Sequence, residues 1–192
     1  MVAEDVGQQA AEMVLGKHSG RHGLRHRLSS LGIALESEEF ESVYSKFLEL
    51  ADKKKQVYDD DLIMIARGET EESAGAFVLE KMQVVTGKGS LPTATLQLRK
   101  GGKLVKEAGY GDGPVDAALN TINKLTGTNG RLVDFTIQAI TIGGDAMGEA
   151  SVGVAFGEEI LSGKAANTDI VEAAAKAYLS CVNRYLFRRR SV

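Results

Sequence analysis

Cys181 is the only cysteine in the chain, which excludes an intrachain disulfide framework and a thiolate zinc cluster and points to a reducing, cytoplasmic setting. Histidine is almost as scarce. His18, His22 and His26 are the only three, and no imidazole follows residue 26. The longest apolar stretches fall far short of the roughly 18 to 20 residues of a membrane span. The chain opens on acidic residues where a signal peptide would be basic and then apolar, so neither a membrane nor export is expected. Lysine and arginine are scattered, apart from Arg188, Arg189 and Arg190. With a net charge of −3 and a pI of about 5.7, no basic face is available for a phosphate backbone, and nucleic acid is not an expected partner. Beyond residue 75 there is neither a cysteine paired with a histidine base nor a glycine loop followed by Lys-Ser or Lys-Thr. Binding rather than turnover is expected there.

What is present is soluble globular material: 192 residues, 43% apolar and 26% charged, enough for one domain and a smaller appendage. Leu24, Leu28 and Leu31 recur at helical spacing up to Gly32, predicting a short helix. A second helix is predicted from Ser37, a candidate N-cap, to the lysines at 53–55. Phe40, Val43, Tyr44, Phe47, Leu48 and Ala51 share its apolar face. Asp59, Asp60 and Asp61 ahead of Leu62, Ile63 and Ile65 read as the acidic first turn of a third helix. A calcium loop would need alternating oxygen ligands and a mid-loop glycine. Residues 67–75 are small and polar and read as a linker, so the expected division is helical subdomains over 1–66, linker 67–75 and a domain over 76–192.

In that domain the pattern changes to strands and repeats itself. Strands are expected over 76–88, 92–100 and 103–110, with Lys100-Gly101-Gly102-Lys103 as a hairpin turn. A helix follows from Pro114, presents Val115, Ala118, Leu119, Ile122 and Leu125, and stops at Gly127. Strands over 131–142 and 149–156, a weaker one over 161–165 and a helix from Asp169 to Leu186 repeat the order. Asp169 and Glu172 resemble a capping box. The expected fold class is therefore α+β: short N-terminal helices, then a duplicated βββα domain with units 76–127 and 131–187. One βββα unit alone buries too little surface, whereas two can pack around a pseudo-twofold axis and leave a cleft between them.

Two places could carry chemistry. His22 and His26, four apart, would share a helical face, but no nearby carboxylate or cysteine completes a metal shell. A polar surface explains them more cheaply. The turn Gly109-Tyr110-Gly111-Asp112-Gly113-Pro114 feeds a helix start, a natural seat for an anion, and 163–169 is its expected counterpart in the second unit. Asp112, Asp116, Asp134 and Asp145 show no acid and base spacing.

GKHSGRH at 16–22, ADKKKQVYDDDL at 51–62, GDGPVDAALNTINKLTG at 111–127 and TDIVEAAAKAYLSCVNR at 168–184 resemble the 2-isopropylmalate synthase family along essentially the whole chain. The first motif is shared with homocitrate and citramalate synthases. The resemblance implies a protein whose catalytic (β/α)8 barrel uses a divalent metal to join acetyl-CoA to 2-oxoisovalerate. That barrel and its His-x-His pair are absent from this sequence, so no cofactor is expected here and the chain alone should not catalyse condensation. It further implies that 1–66 is a connecting segment in which His18 and Tyr58 assist a partner subunit's barrel.

By the same resemblance, 76–192 is a regulatory domain binding leucine at a homodimer interface. Asp112 is placed near the ligand's amino group, with Val115 and Asp116 at the helix start. Leu132, Phe135 and Ala139 come from the next strand, Ala146 from its turn and Ile170 from the second helix start. Some members carry a small apolar residue where Asp116 stands. The alternatives are an isoleucine-sensing citramalate synthase fragment and a dimerisation module without a ligand.

Overall fold

The computed structural model describes residues 15, 19–53, 56–68, 76–140 and 147–190, and the chain divides into two compact units, Met1–Thr70 and Glu71–Val192. Five helices and two three-stranded antiparallel sheets among the described residues make the fold α+β, with the short helices first. No helix of the described residues is long and apolar enough to cross a membrane.

The first unit holds α1 (Arg21–Ser30), α2 (Ser37–Lys53) and α3 (Asp59–Ala66). Phe40, Val43, Phe47 and Ala51 of α2 are buried against Leu24 and Leu28 of α1 and Leu62 and Ile65 of α3. The aromatic stripe is continuous, because Tyr44 stacks between Phe40 and Phe47 with ring centroids 6.1 and 6.3 Å away. Leu48, expected on this face, is exposed. A short antiparallel bridge joins Leu15 to Val57, each amide donating to the other's carbonyl.

Two local expectations change. α1 starts at Arg21, before the first leucine of the periodic run, and carries Gly23 in its interior. Gly in a helix costs about 1 kcal/mol relative to Ala, and the complete burial of Leu24 and near-complete burial of Leu28 offset it. Ser37 is the first helical residue of α2 rather than its cap, and the Glu39 carboxylate accepts the Glu36 amide at 3.1 Å just ahead of it. In α3 the Asp61 carboxylate accepts the Tyr58 amide at 3.0 Å, and Asp59 takes two hydrogen bonds from the Arg27 guanidinium. The acidic run thus serves the helix start and an ion pair.

The second unit runs β1 (Phe77–Val85), β2 (Thr93–Lys100), β3 (Lys103–Tyr110), α4 (Pro114–Thr126), β4 (Arg131–Ala139), β5 (Gly148–Phe156), β6 (Glu159–Asn167) and α5 (Ile170–Arg190). The sheets have the orders β1-β2-β3 and β4-β5-β6, so βββα occurs twice. Gly101 and Gly102, at φ 52° and 76°, make the tight hairpin turn that other residues disfavour. Ala94, Leu96 and Leu98 of β2 are fully buried, alternating with residues that are exposed or half-buried. Gly127 closes α4 in the left-handed conformation.

The third strand of the second repeat is stronger than its composition suggests. β6 spans Glu159–Asn167 and pairs with β5 along its whole length. Gly163, read as part of a helix-feeding turn, lies inside this strand. A Cβ there would stand 2.4 Å from the Ala177 carbonyl oxygen and 2.8 Å from Cys181 Sγ, so the glycine lets α5 lie close against the sheet. Both repeats also bulge in their first strand, between Leu79 and Lys81 and between Leu132 and Asp134.

α4 and α5 pack against each other, and both sheets close over one core that includes Leu96, Leu98, Ile122, Val154, Tyr178 and Val182. Tyr178 is its largest fully buried side chain. Its hydroxyl lies 2.6 Å from the Gly130 carbonyl and 2.9 Å from Asn123 Oδ1, and Asn123 Nδ2 donates to the same carbonyl at 2.8 Å. The passage from α4 into β4 is thereby tied to α5.

Burial pushes the Tyr178 phenol up to about 12, against a smaller lowering by its hydrogen bond with Asn123. Its folded value lies above its unfolded value of 10.0, so the stability it contributes is complete below pH 10 and is lost as pH rises through 12. Denaturation titrated from pH 9 to 12 is expected to show a loss of stability that Tyr178→Phe reduces. An unchanged alkaline slope in that variant would refute the assignment.

Candidate functional site

The β4 bulge reorders the site. Strand side chains alternate, so residues three apart normally face opposite sides. The extra residue between Leu132 and Asp134 removes one step of the alternation, and Leu132 and Phe135 both pack on the core. Phe135 and, from α4, Val115 both pack against Ala150, Ala173 and Ala174, all three fully buried. The starts of the two helices therefore converge on one small-residue cluster, floored by β5. Around Gly148, where a Cβ would lie 3.6 Å from Ile170 Cγ2 and 3.9 Å from Ile137 Cγ2, the apolar surface continues outward. Ile137, Ile140, Met147 and Ile170 are each between 39% and 45% exposed, a concentration of apolar surface suited to a ligand or a partner chain.

Of the positions named from sequence, Val115 and Phe135 thus come into one cluster, Leu132 packs on the adjoining core, and Ile170 borders Gly148. Ala139 lies exposed at the end of β4, paired with Gly148. Ala146 and His18 lie outside the described residues. Ile137, Gly148, Ala150, Ala173 and Ala174 were not among the named positions. The alternation of β4 carried a signal for Ile137, which is two residues from both Phe135 and Ala139. Ala173 and Ala174 carried none, since alanines in a helix are equally at home anywhere in it.

The two helix starts differ. At α5 the Asp169 carboxylate accepts the amides of Val171 and Glu172 at 2.8 and 3.2 Å, filling the anion seat with a side chain of its own. The reciprocal half of the expected capping box is not made by Glu172. Asn167 Oδ1 accepts the Asp169 amide at 2.9 Å, while Glu172 pairs with Lys176 at 2.6 Å. At α4 the N-cap is Gly113, which makes no side-chain hydrogen bond. Asp112 is exposed next to it. Asp116, expected at a ligand, is engaged within the chain: its Oδ2 accepts the Asp112 amide at 3.0 Å and Asn120 Nδ2 at 3.1 Å.

In the first unit Tyr58 is 4% exposed, and its hydroxyl lies 2.9 Å from Gln56 Oε1. His22 and His26 are exposed on α1.

Residues 56–186 match the family described as LeuA allosteric (dimerisation) domain. Residues 1–55 match the homocitrate synthase post-HMGL domain-like family. Among curated proteins, the 2-isopropylmalate synthases of Methylacidiphilum infernorum, Pelotomaculum thermopropionicum and Carboxydothermus hydrogenoformans are 41%, 42% and 44% identical over 94%, 95% and 95% of this chain. The chain spans 36% of the length of each. The chain belongs to the LeuA allosteric (dimerisation) domain family and, with the segment before it, corresponds to the regulatory part of the 2-isopropylmalate synthases that it matches.

Proposed function

We propose that this chain is the effector-binding regulatory part of a cytoplasmic 2-isopropylmalate synthase and that it binds leucine for feedback inhibition, as a homodimer. The observation that carries this reading is the family match over residues 56–186. The packing of Val115 and Phe135 against Ala150, Ala173 and Ala174, where α4 and α5 begin, supports it with a small-residue apolar cluster bordered by half-exposed Ile137 and Ile170. In this reading a branched aliphatic side chain rests against Val115 and Phe135, the half-buried edge of that cluster, and Ile170. Its carboxylate meets the uncapped start of α4, since Asp169 already occupies the start of α5. Asp112 is charged suitably for the ammonium.

Condensation of acetyl-CoA with 2-oxoisovalerate, and the divalent metal it uses, belong in this reading to a barrel outside this chain. His18 and Tyr58 would assist that barrel from the connecting segment. Tyr58 would do so only after a change, because its hydroxyl is shielded and engaged by Gln56. Inhibition requires leucine to bind the inhibited form more tightly than the active one.

Leucine and isoleucine differ only in branching, so an apolar site of this kind separates them by about 1 to 3 kcal/mol. Isothermal titration of the chain with each is expected to give saturable binding that prefers leucine. A preference for isoleucine would move the effector assignment to that of citramalate synthases. No heat with either would overturn effector binding.

A further inference from the structure

Asp116 sits in the first turn of α4, and its carboxylate would ordinarily serve the start of its own helix, where Gly113 offers no side chain in return. It reaches beyond that cap instead, to the amide of Asp112 at 3.0 Å. Asn120, one further turn along, donates through Nδ2 to the same Asp116 oxygen at 3.1 Å and to the Tyr110 carbonyl at 3.2 Å. Two helical side chains therefore hold both sides of the turn between β3 and α4. From the far side, the Gly111 amide donates to the Pro92 carbonyl at 3.1 Å, anchoring the turn to the loop ahead of β2. The fit is tight: a Cβ on Gly111 would stand 2.5 Å from Asp116 Oδ2 and 2.4 Å from the Ala117 amide nitrogen.

The second repeat has no equivalent arrangement at its own helix start, where Asp169 caps α5 directly and Asn167 holds the Asp169 amide. One repeat thus spends its acidic side chain on the helix donors. The other spends it on the shape of the turn and leaves the helix start without a side-chain cap.

We propose that Asp116 and Asn120 are positioning residues for the effector site: they staple the turn from Tyr110 to Gly113 so that the α4 start and the Asp112 carboxylate are already in place when the effector arrives. The proposal rests on the effector reading above. It replaces the sequence expectation that Asp116 contacts the ligand. A turn that must otherwise be ordered on binding charges the cost of that ordering to the affinity, and a stapled one does not.

The test is titration of the wild-type chain and of Asp116→Ala, Asp116→Asn and Asn120→Ala with leucine, together with thermal unfolding and amide hydrogen exchange at Asp112. Asparagine keeps an oxygen able to accept both donors. The expected result is a dissociation constant raised about tenfold or more in Asp116→Ala and Asn120→Ala, and restored to within about threefold of wild type in Asp116→Asn. Exchange at the Asp112 amide should accelerate in Asp116→Ala alone of the two Asp116 variants. Should Asp116→Ala unfold, the same comparison is read from Asn120→Ala. Unchanged affinity in both alanine variants, with wild type binding normally, would overturn the staple and leave the effector reading standing. An Asp116→Asn variant as weak as Asp116→Ala would overturn it too, because the charge would then matter and not the hydrogen bonds. Failure of the wild-type chain to bind leucine or isoleucine would overturn the effector reading, and the proposal with it.

Discussion

Replacing Tyr178 by alanine is expected to lower the unfolding free energy by about 3 to 5 kcal/mol, the range for removing a fully buried aromatic side chain. The corresponding fall in Tm is at least about 10 °C for a domain of this size. Tyr178 is fully buried within the shared core, and its hydroxyl completes the node formed by Asn123 and the Gly130 carbonyl. The neighbours cannot close over the space easily. Gly130 is held so near that a Cβ on it would lie 2.5 Å from the Tyr178 oxygen and 2.7 Å from the Phe156 ring. Tyr178→Phe keeps the ring and loses only the hydroxyl, for a cost of about 1 to 2 kcal/mol, since Asn123 still bonds the Gly130 carbonyl. Chemical denaturation of the three proteins would check the ordering. Equal stability of the alanine and phenylalanine variants would show that the ring adds nothing, contrary to its burial.

Gly111→Ala is expected to cost about 1 to 3 kcal/mol, as overpacking does, and to weaken leucine binding by at least about tenfold. The new Cβ would meet the Ala117 nitrogen at 2.4 Å and the Asp116 carbonyl carbon at 2.7 Å, both helix backbone, so the start of α4 must move away from the turn. Gly23→Ala, in α1 of the first unit, is the internal control, since nothing lies within 4 Å of a Cβ at that position. Calorimetric titration of both variants, after thermal unfolding has established that they are folded, reads the effect. Wild-type affinity in Gly111→Ala would show that the turn can relax without disturbing the site.

The duplication was legible in the residues because each repeat carries local signals that do not depend on its neighbours. Alternation in β2, the double glycine at 101–102, Pro114 at a helix start and Gly127 at its end all act within a few residues. β6 was underestimated for the opposite reason. Gly163 and Ala165 have little intrinsic preference for a strand, and the strand exists because β5 supplies its hydrogen bonds and α5 needs a close approach there. The cap at Asp169 was legible, whereas the partner of its amide was not, because Asn167 and Glu172 both lie within three residues of it.

The sequence by itself determined the order of elements, the two repeats and the glycine-rich turn ahead of α4. Its motifs also sufficed to place the chain beside the 2-isopropylmalate synthases. Only the tertiary structure decided which of the suggested residues meet. The bulge in β4 brings Leu132 and Phe135 to one side, α4 packing on α5 brings Val115 to Ala173 and Ala174, and the reach of Asp116 ties its carboxylate to the Asp112 amide. The physical reason is range: caps, turns and periodicities are written in neighbouring residues, while a convergence of α4, α5, β4 and β5 depends on how two repeats share one core.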